Sequence, residues 1–541
     1  MSNTEQWPAD PMHQPGSLDA HWCTDNVGEA APGVLSPLGA TVWSVVGDAA
    51  PREVAYRIGV YNRAERTPAA AARDRVATVF FGKFAMKIEF MASVGDRLPG
   101  TTGRDTVESL FGHVPDGMVF HPSKHRYPIV ALKMPWAFVN SPRRIRRMAA
   151  DTDQWWRREV PRLESLDYHG AVALFEDALE HFRVAMVTHT VGLLGTVQPL
   201  YDALEKLTAR AGIGDVASLS GAGGAELAIV SDLWRASRGE LDIAEVVRNH
   251  GFHGPAEGEL SSRVWREDDA PLRRVVTEYA ARPDADDPRL REHEAARRLP
   301  DLQRAVIAAV PVYQRPATRA ILRLAAKLIP LRGVGKRAFL QSIDIARGAA
   351  RAAGAVLAAD GRLADPEDVF YLTAEELVSG KLTGARELVE SRKARREKYQ
   401  SLQIPGTWRG IPDPVVAIAD VATDRGAGFV VTGRGVSAGI VEGPVRIVTD
   451  PSFTDVEPGE ILVAPTTDPS WASIMFVSAA LVVDIGGALS HAAVVARELG
   501  LPCVVNTRDG SRTLRTGDVV RVDGSAGTVE LLQSVESRVS S

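Results

Sequence analysis

The sequence predicts a multidomain protein, a mainly α-helical region followed by a small β/α domain. Three observations carry that prediction. The chain has 541 residues, enough for several domains at roughly 100–200 residues each. Between about 140 and 400, apolar residues recur at three- and four-residue steps, the period of a helix with one face in a core. After about residue 427 the pattern switches to short β-like runs between glycine-rich turns, interrupted by one clear helix.

In chain order, the first 20 residues are polar and proline-rich and read as a flexible tail. Residues 21–403 form the large, mostly helical domain. Its first part is mixed, and "ATVFFGKFAMKIEF" (Ala77–Phe90) has the aromatic and β-branched content of a strand or hairpin. Leu174, Phe175, Ala178, Leu179, Phe182, Met186 and His189 make one stripe of a long helix. A second long helix covers Val334–Ala359, with Phe339, Leu340, Ile343, Ala346, Ala350, Ala353 and Leu357 on its apolar face. "DPEDVFYLTAEEL" then predicts a short extended piece and a helix starting at Thr373, with Glu376 at capping-box spacing. The basic run of "ARELVESRKARREKYQ" reads as a solvated helix face. Residues 404–426 lose helical period and gain proline and glycine, which marks a linker. Residues 427–535 form the β/α domain, and 536–541 a second tail.

Composition excludes several classes. Apolar residues make up 45% and charged residues 24%, with a net charge of −5. That is ordinary for a globular protein and offers no basic excess for nucleic acid. Two cysteines, Cys23 and Cys503, make no disulfide framework and fit a reducing cytoplasm. No apolar run approaches the ~20 residues that span a bilayer, and the N-terminus lacks a signal-peptide core. A cytoplasmic protein without nucleic-acid or membrane partners is the expectation. No spacing of His, Cys, Asp or Glu signals a metal site.

The most specific stretch is "DIGGALSHAAVVARELGLPCVV", Asp484–Val505. A buried-strand pattern runs into Gly486-Gly487, which suits a tight turn. Ser490 is a good N-cap and His491 the first helical residue. Val494, Val495 and Leu499 face inward, Arg497 and Glu498 outward, and Gly500 with Pro502 ends the helix. His491 thus stands at a helix N-terminus, where backbone N–H groups and the macrodipole disfavour imidazolium but favour an anion carried by the ring. A neutral, nucleophilic imidazole suits that place; so does a mere helix-end surface histidine.

The wider pattern decides between them. Gly486–Val505, with "APTTDPSW" upstream and "GDVVRVDGSAGTV" downstream, closely resembles the swivelling phosphohistidine domain of the phosphoenolpyruvate-utilising enzymes. That family includes pyruvate phosphate dikinase, phosphoenolpyruvate synthase and rifamycin phosphotransferase. The family's phosphorylated histidine falls on His491, and Ser490, Gly487 and Thr467 fall where the phosphoryl group is bound. Leu489 departs from the Thr usual in the dikinases and is more like the rifamycin branch. Upstream, "HWCTDNVGEAAPGVLSPLGATVW", "NHGFHGPAEGELSSRVWREDDAPL" and "GRLADPEDVFYLTAEEL" resemble, in the right order, segments of the family's substrate domain.

The resemblance implies a site. Arg332 and Lys336 match an Arg-x-x-x-Lys pair that faces the phosphohistidine; the alternative is a helix-end pair meeting solvent. His253 replaces an Arg of the Gly-His-Arg-Gly segment and, with Glu257, is either a base near the acceptor or a loop-structuring group. His189 is a substrate contact or a satisfied core histidine. Phe80, Phe81 and Phe84 line an aromatic pocket or pack the core. Cys503 is a buried small residue.

The family's ATP-grasp domain and its phosphoenolpyruvate barrel find no counterpart in the residues of this chain. The expected arrangement is therefore that of the two-subunit phenylphosphate synthases. A separate ATP-grasp subunit in trans binds ATP and Mg²⁺ and leaves a phosphoryl group on His491, releasing AMP and phosphate. A phenol or p-cresol then accepts it. The first rival acceptor is a rifamycin antibiotic. The rival of another class is a non-enzymatic phosphocarrier or regulatory protein.

Overall fold

The computed structural model describes residues 10–24, 27–28, 30–111, 114–213, 219, 225–284, 287–416, 428–449, 456–467, 471–487 and 490–535. They fall into two compact units. One comprises residues 1–195, 256–262 and 334–417; the other comprises 196–255, 263–333 and 418–541. The helical region is thus not a single domain. Its middle third groups with the C-terminal domain, because the apolar faces of those helices complete other cores.

In the first unit, the hairpin Ala77–Phe80 and Lys83–Lys87 confirms the strand reading of Ala77–Phe90 for its first part, while Ile88–Gly95 is helical. The turn residues Phe81 and Gly82 both have positive φ, 49° and 76°, as a two-residue hairpin turn requires. A Cβ on Gly82 would also lie 2.3 Å from Val34 Cγ1. His21–Cys23 pairs with the second hairpin strand on one side and with Thr407–Arg409 on the other. That pairing corrects the linker expectation. Residues 404–416 belong to the sheets of this unit, since Val415–Val416 also pairs with Leu402–Gln403. Residues 417–427 lie outside the described residues.

The tail expectation is corrected for residues 10–20 as well. Met12 is fully buried, its carbonyl accepts from Gly82 N–H, and Gln14 N–H donates to Val79. Tyr399 Oη donates to the Asp10 carboxylate at 2.6 Å. Residues 1–9 and 536–541 lie outside the described residues.

The two predicted stripes hold. Tyr168–Gly192 is one helix that buries Leu174, Phe175, Ala178 and Phe182. Leu331–Ala359 is another, and all seven of its predicted apolar positions are buried. Thr373 caps Ala374–Ser379 in a full capping box with Glu376. Pro366–Tyr371, expected to be extended, is instead a 3₁₀ helix capped by Asp365. The basic run of Ala385–Gln400 is not a solvated face. Arg392 is buried and donates to both Glu376 carboxylate oxygens and to Tyr371 O. Lys393 pairs with buried Asp368 at 2.7 Å, and Arg396 donates to Val34 O.

Residues 256–262 form a buried irregular segment of this unit, and its carbonyls are accounted for. Arg347, with no exposed surface, donates to Glu257 O, Glu259 O and Leu260 O at 2.9, 3.0 and 3.3 Å. Trp43 Nε1 donates to Gly258 O, and Arg351 to the carbonyls of Ser261 and Ser262. The Glu259 carboxylate accepts from Ser36 N–H at the start of the helix Pro37–Arg57. A Cβ on Gly258 would stand 1.8 Å from Ala30 O, so only glycine fits there.

The second unit holds an eight-stranded sheet. Ile440–Ile447, Ile461–Ala464, Ala480–Val483 and Cys503–Val505 run parallel at its centre. Val519–Asp523 and Thr528–Gln533 extend it on one side, antiparallel. Period-2 alternation fills both faces. Leu462, Leu481, Val483, Cys503 and Val505 pack with the His491–Leu499 helix, while Ile461, Val463, Val482 and Val504 pack on the opposite side with Val520, Val522 and Leu531. The helices Ala225–Ser237, Ile243–His250 and Ala270–Ala280 share a core around Trp234, Trp265 and Tyr279. Among the described residues, no helix is long and apolar enough to cross a membrane.

Two predictions follow from these ties. Replacing Arg347 by Met removes the guanidinium donor from the Glu257, Glu259 and Leu260 carbonyls and the cation beside buried Asp344, and should cost about 3–5 kcal/mol in denaturant unfolding of the first unit. Glu376 is the second. Burial alone would raise its carboxyl, but the Arg392 guanidinium and the Thr373 N–H overcome this and hold it below the usual carboxylate range. A depressed carboxyl stabilises the fold at neutral pH and loses that stabilisation as the pH falls through its folded pKa. Glu376→Gln should therefore lower stability at neutral pH and flatten its acid dependence in pH-resolved thermal melts.

Candidate functional site

His491 sits where the strand Ala480–Val483 gives way to the helix His491–Leu499. That is the carboxyl end of a parallel strand, the usual ligand edge of such a sheet. Ser490 is the N-cap, with φ −64° and ψ 159°, and its Oγ accepts from Ala493 N–H at 3.3 Å. Ser490 N–H in turn donates to Gly487 O. Gly486 does not have positive φ. At Gly486 the requirement is space, since a Cβ would lie 3.0 Å from Ser490 Oγ. Ala488 and the departing Leu489 are outside the described residues, as are the side chains of Val494 and Glu498.

Thr467, from the loop after Ile461–Ala464, places its Oγ1 3.3 Å from His491 Nδ1. Thr467, Ser490 and His491 are all buried, His491 to 1% exposure. Within the same unit the helix of His491 packs against Ala225–Ser237 and Pro288–Ala308. Arg497, expected to face out, donates to Val436 O and lies 5.4 Å above the Tyr201 ring. Asp484, just before the glycines, accepts from Thr507 Oγ1 at 2.8 Å and from the backbone and hydroxyl of Ser511. Burial raises its carboxyl, and those hydrogen bonds oppose the shift. Cys503 is buried and free, its thiol pushed by burial up to about 12, so it is a packing residue.

In the first unit a second cluster forms. Lys336 Nζ lies 3.9 Å from the buried Glu257 carboxylate. One residue before Lys336, a Cβ on Gly335 would stand 2.4 Å from His189 Nδ1. His189 also meets the Phe339 ring at 5.8 Å. The structure thus brings Lys336 to Glu257, and sets His189 against the same helix at Gly335 and Phe339. It keeps Arg332 on the same helix, one turn earlier. His253 belongs to the second unit, buried against Phe252 and Trp265, with its carbonyl accepting from Trp265 N–H. Its main-chain bonds shape the loop.

The aromatic-pocket expectation is corrected. Phe80 is fully buried against Trp22 and Trp408. Phe84 is buried on Trp43, and Phe81 packs on Tyr399 and His13. Sequence reasoning missed Gly335, whose lack of a side chain lets His189 pack against the Leu331–Ala359 helix. Its signal was a glycine inside a strong helix pattern. Among the described residues no group of three or more His, Cys, Asp or Glu could hold a metal ion.

This geometry defines a class, a histidine held at a helix N-terminus on a mobile-domain fold. Residues 456–527 match the family model of the PEP-utilising enzyme mobile domain, and residues 232–333 match the rifampicin phosphotransferase fourth domain. The resemblance to the phosphoenolpyruvate-utilising enzymes therefore holds, on its rifamycin side. A rifampicin phosphotransferase of Streptomyces sviceus is 40% identical over 179 residues, 32% of this chain and 20% of that protein. The Bacillus subtilis rifampicin phosphotransferase is 32% identical over 173 residues, again 32% of this chain and 20% of that protein. An uncharacterised protein of Mycobacterium tuberculosis is 35% identical over 295 residues, 52% of this chain and 30% of its own length. The matched stretches thus span less than a third of each relative.

Gly335→Ala tests the cluster around Lys336. The added methyl must displace His189, so acceptor turnover should fall about tenfold, as small misplacements of catalytic groups do, while the thermal transition shifts little. Unchanged turnover would separate His189 from the site.

Proposed function

We propose that this protein is a phosphotransferase in which His491 carries a phosphoryl group from ATP to the hydroxyl of a lipophilic acceptor. The observation that carries this reading is the His491 imidazole, fixed through Nδ1 by Thr467 at a serine-capped helix N-terminus. With Nδ1 engaged, Nε2 is the nucleophile, and the helix end suits the anion it receives. In the first step Nε2 attacks the β-phosphorus of ATP, the P–O bond to AMP breaks, and water then takes the terminal phosphoryl group as phosphate, leaving one phosphoryl group bonded to Nε2. In the second, the acceptor oxygen attacks phosphorus, the N–P bond breaks, and Nε2 regains its lone pair.

The acceptor proton needs a base, because a phenol resembles tyrosine, with a pKa of about 10. Glu257, 3.9 Å from Lys336 Nζ, is the base we assign. Lys336 and Arg332 supply cations for the phosphoryl oxygens. ATP with Mg²⁺ belongs to an ATP-grasp module, in this reading a separate subunit. Mg²⁺ there would neutralise phosphate charge. Two acceptors compete. Phenol or p-cresol gives an aryl phosphate synthase. A rifamycin is the second reading, favoured by the fourth-domain match and by relatives named rifampicin phosphotransferase.

The test uses radiolabelled ATP with the ATP-grasp protein, or phosphoramidate as a direct donor. Acid-labile label should appear on the wild type and vanish in His491→Ala. Chasing with p-cresol and with rifamycin in parallel should discharge it to one of them. Label that persists in His491→Ala would overturn the mechanism. Label on His491 that neither acceptor removes would favour the regulatory phosphocarrier.

A further inference from the structure

The helix Tyr127–Glu159 carries a face that the proposed reaction leaves unused. Residues 117–150 contain seven Lys or Arg and no Asp or Glu, in a chain of net charge −5. Ile129, Leu132, Trp136 and Val139 are spaced three, four and three residues apart, hence on one side of the helix. They are 40%, 77%, 61% and 78% exposed. Pro128, Ala131 and Pro135 are exposed among them. The opposite side is buried through Val130, Ala137, Ser141 and Ile145. From Pro128 to Val139 the row runs about 17 Å, at ~1.5 Å per residue. One or two turns further, the exposed residues become Arg143, Arg146 and Arg147.

A single exposed leucine is ordinary, whereas a contiguous apolar row marks a surface that something covers. We propose that this face docks on the surface of an anionic lipid bilayer. The sign follows from the acid-free stretch, which leaves the cations unopposed by acids of its own sequence. Arg147 still reaches Asp151 at 3.7 Å. The phase follows from the row itself. Pro, Ile, Ala, Leu, Pro, Trp and Val offer no acceptor that would fix a register with a protein partner, and only the Trp136 indole as a side-chain donor. A fluid apolar layer needs no register. Trp136 suits the boundary between apolar and polar layers, and Arg144 sits over its ring at 4.5 Å, placing a cation at headgroup depth. Apolar row and basic end together match helices that lie in the interface plane. The expectation of no membrane partner rested on the lack of a spanning segment, which a surface face does not need.

The full chain is sedimented with phosphatidylcholine vesicles, with and without about 30% phosphatidylglycerol, at about 0.1 M and about 1 M salt. The bound fraction should require the anionic lipid and fall at least tenfold in high salt. Leu132→Asp with Val139→Asp should lower it at least tenfold, with circular dichroism and the thermal transition unchanged. Arg143→Glu with Arg146→Glu, at positions that are also exposed, should do the same. Failure to bind anionic vesicles overturns the proposal, as does binding that both double variants retain. If light scattering instead shows self-association that Leu132→Asp with Val139→Asp dissolves, without vesicle binding, the face is a protein contact and the proposal falls.

Discussion

The buried guanidinium of Arg347 is the constraint on which the first unit depends. A segment of irregular backbone, residues 256–262, runs through the interior of that unit. Irregular backbone in a core is normally forbidden, because its carbonyls have no regular partners. Arg347 donates to three of them, and charge-assisted bonds to a planar, multidentate donor are the strong kind. Asp344, one turn away, pairs with Arg347 and also accepts from Trp156 Nε1. Once the segment is held, the rest follows. Glu259 caps a helix, Gly258 nests against Ala30, and Glu257 faces Lys336. The meeting of Lys336 with Glu257 is a by-product of how a buried loop is satisfied.

What the sequence made legible was whatever is periodic or local. The stripes of Tyr168–Gly192 and Leu331–Ala359 were readable because each is a long helix against a core, with its pattern repeated many times. The capping box at Thr373 and the serine cap at His491 were readable because partners three residues apart need no tertiary knowledge. What escaped depends on distant partners. Arg392 and Lys393 look like a solvated run until Glu376 and Asp368 are brought to them. Residues 404–416 look like a linker because two- and three-residue strands are too short to show alternation. Asp10–Ala20 has few apolar residues, yet backbone bonds to the hairpin, buried Met12 and one tyrosine hold it.

The site was legible to different depths. His491 was found because turn, cap and helix all fall within a few residues. Thr467 is 24 residues away and came only through resemblance. His189, Lys336 and Glu257 come from three separate segments; Lys336 meets Glu257, and Gly335 is the residue that lets His189 sit against the Lys336 helix. The aromatic residues Phe80 and Phe84 show the opposite error, since composition alone does not tell a pocket wall from a core. Phe84, Trp43, Phe182, Phe339 and His189 do form a chain of ring contacts, so the core aromatics help fix the His189 ring.

The depth of His491 bears on how a carrier keeps what it carries. A phosphoramidate has two exits, one to an acceptor and one to water. The ratio of those rates is the fraction of ATP put to use. With 1% of its surface exposed, the imidazole is shielded from bulk water, and exclusion of water suppresses wasteful hydrolysis of reactive intermediates. On the phosphotransferase reading, burial sets the coupling efficiency of the cycle: each opening that does not meet an acceptor is a leak.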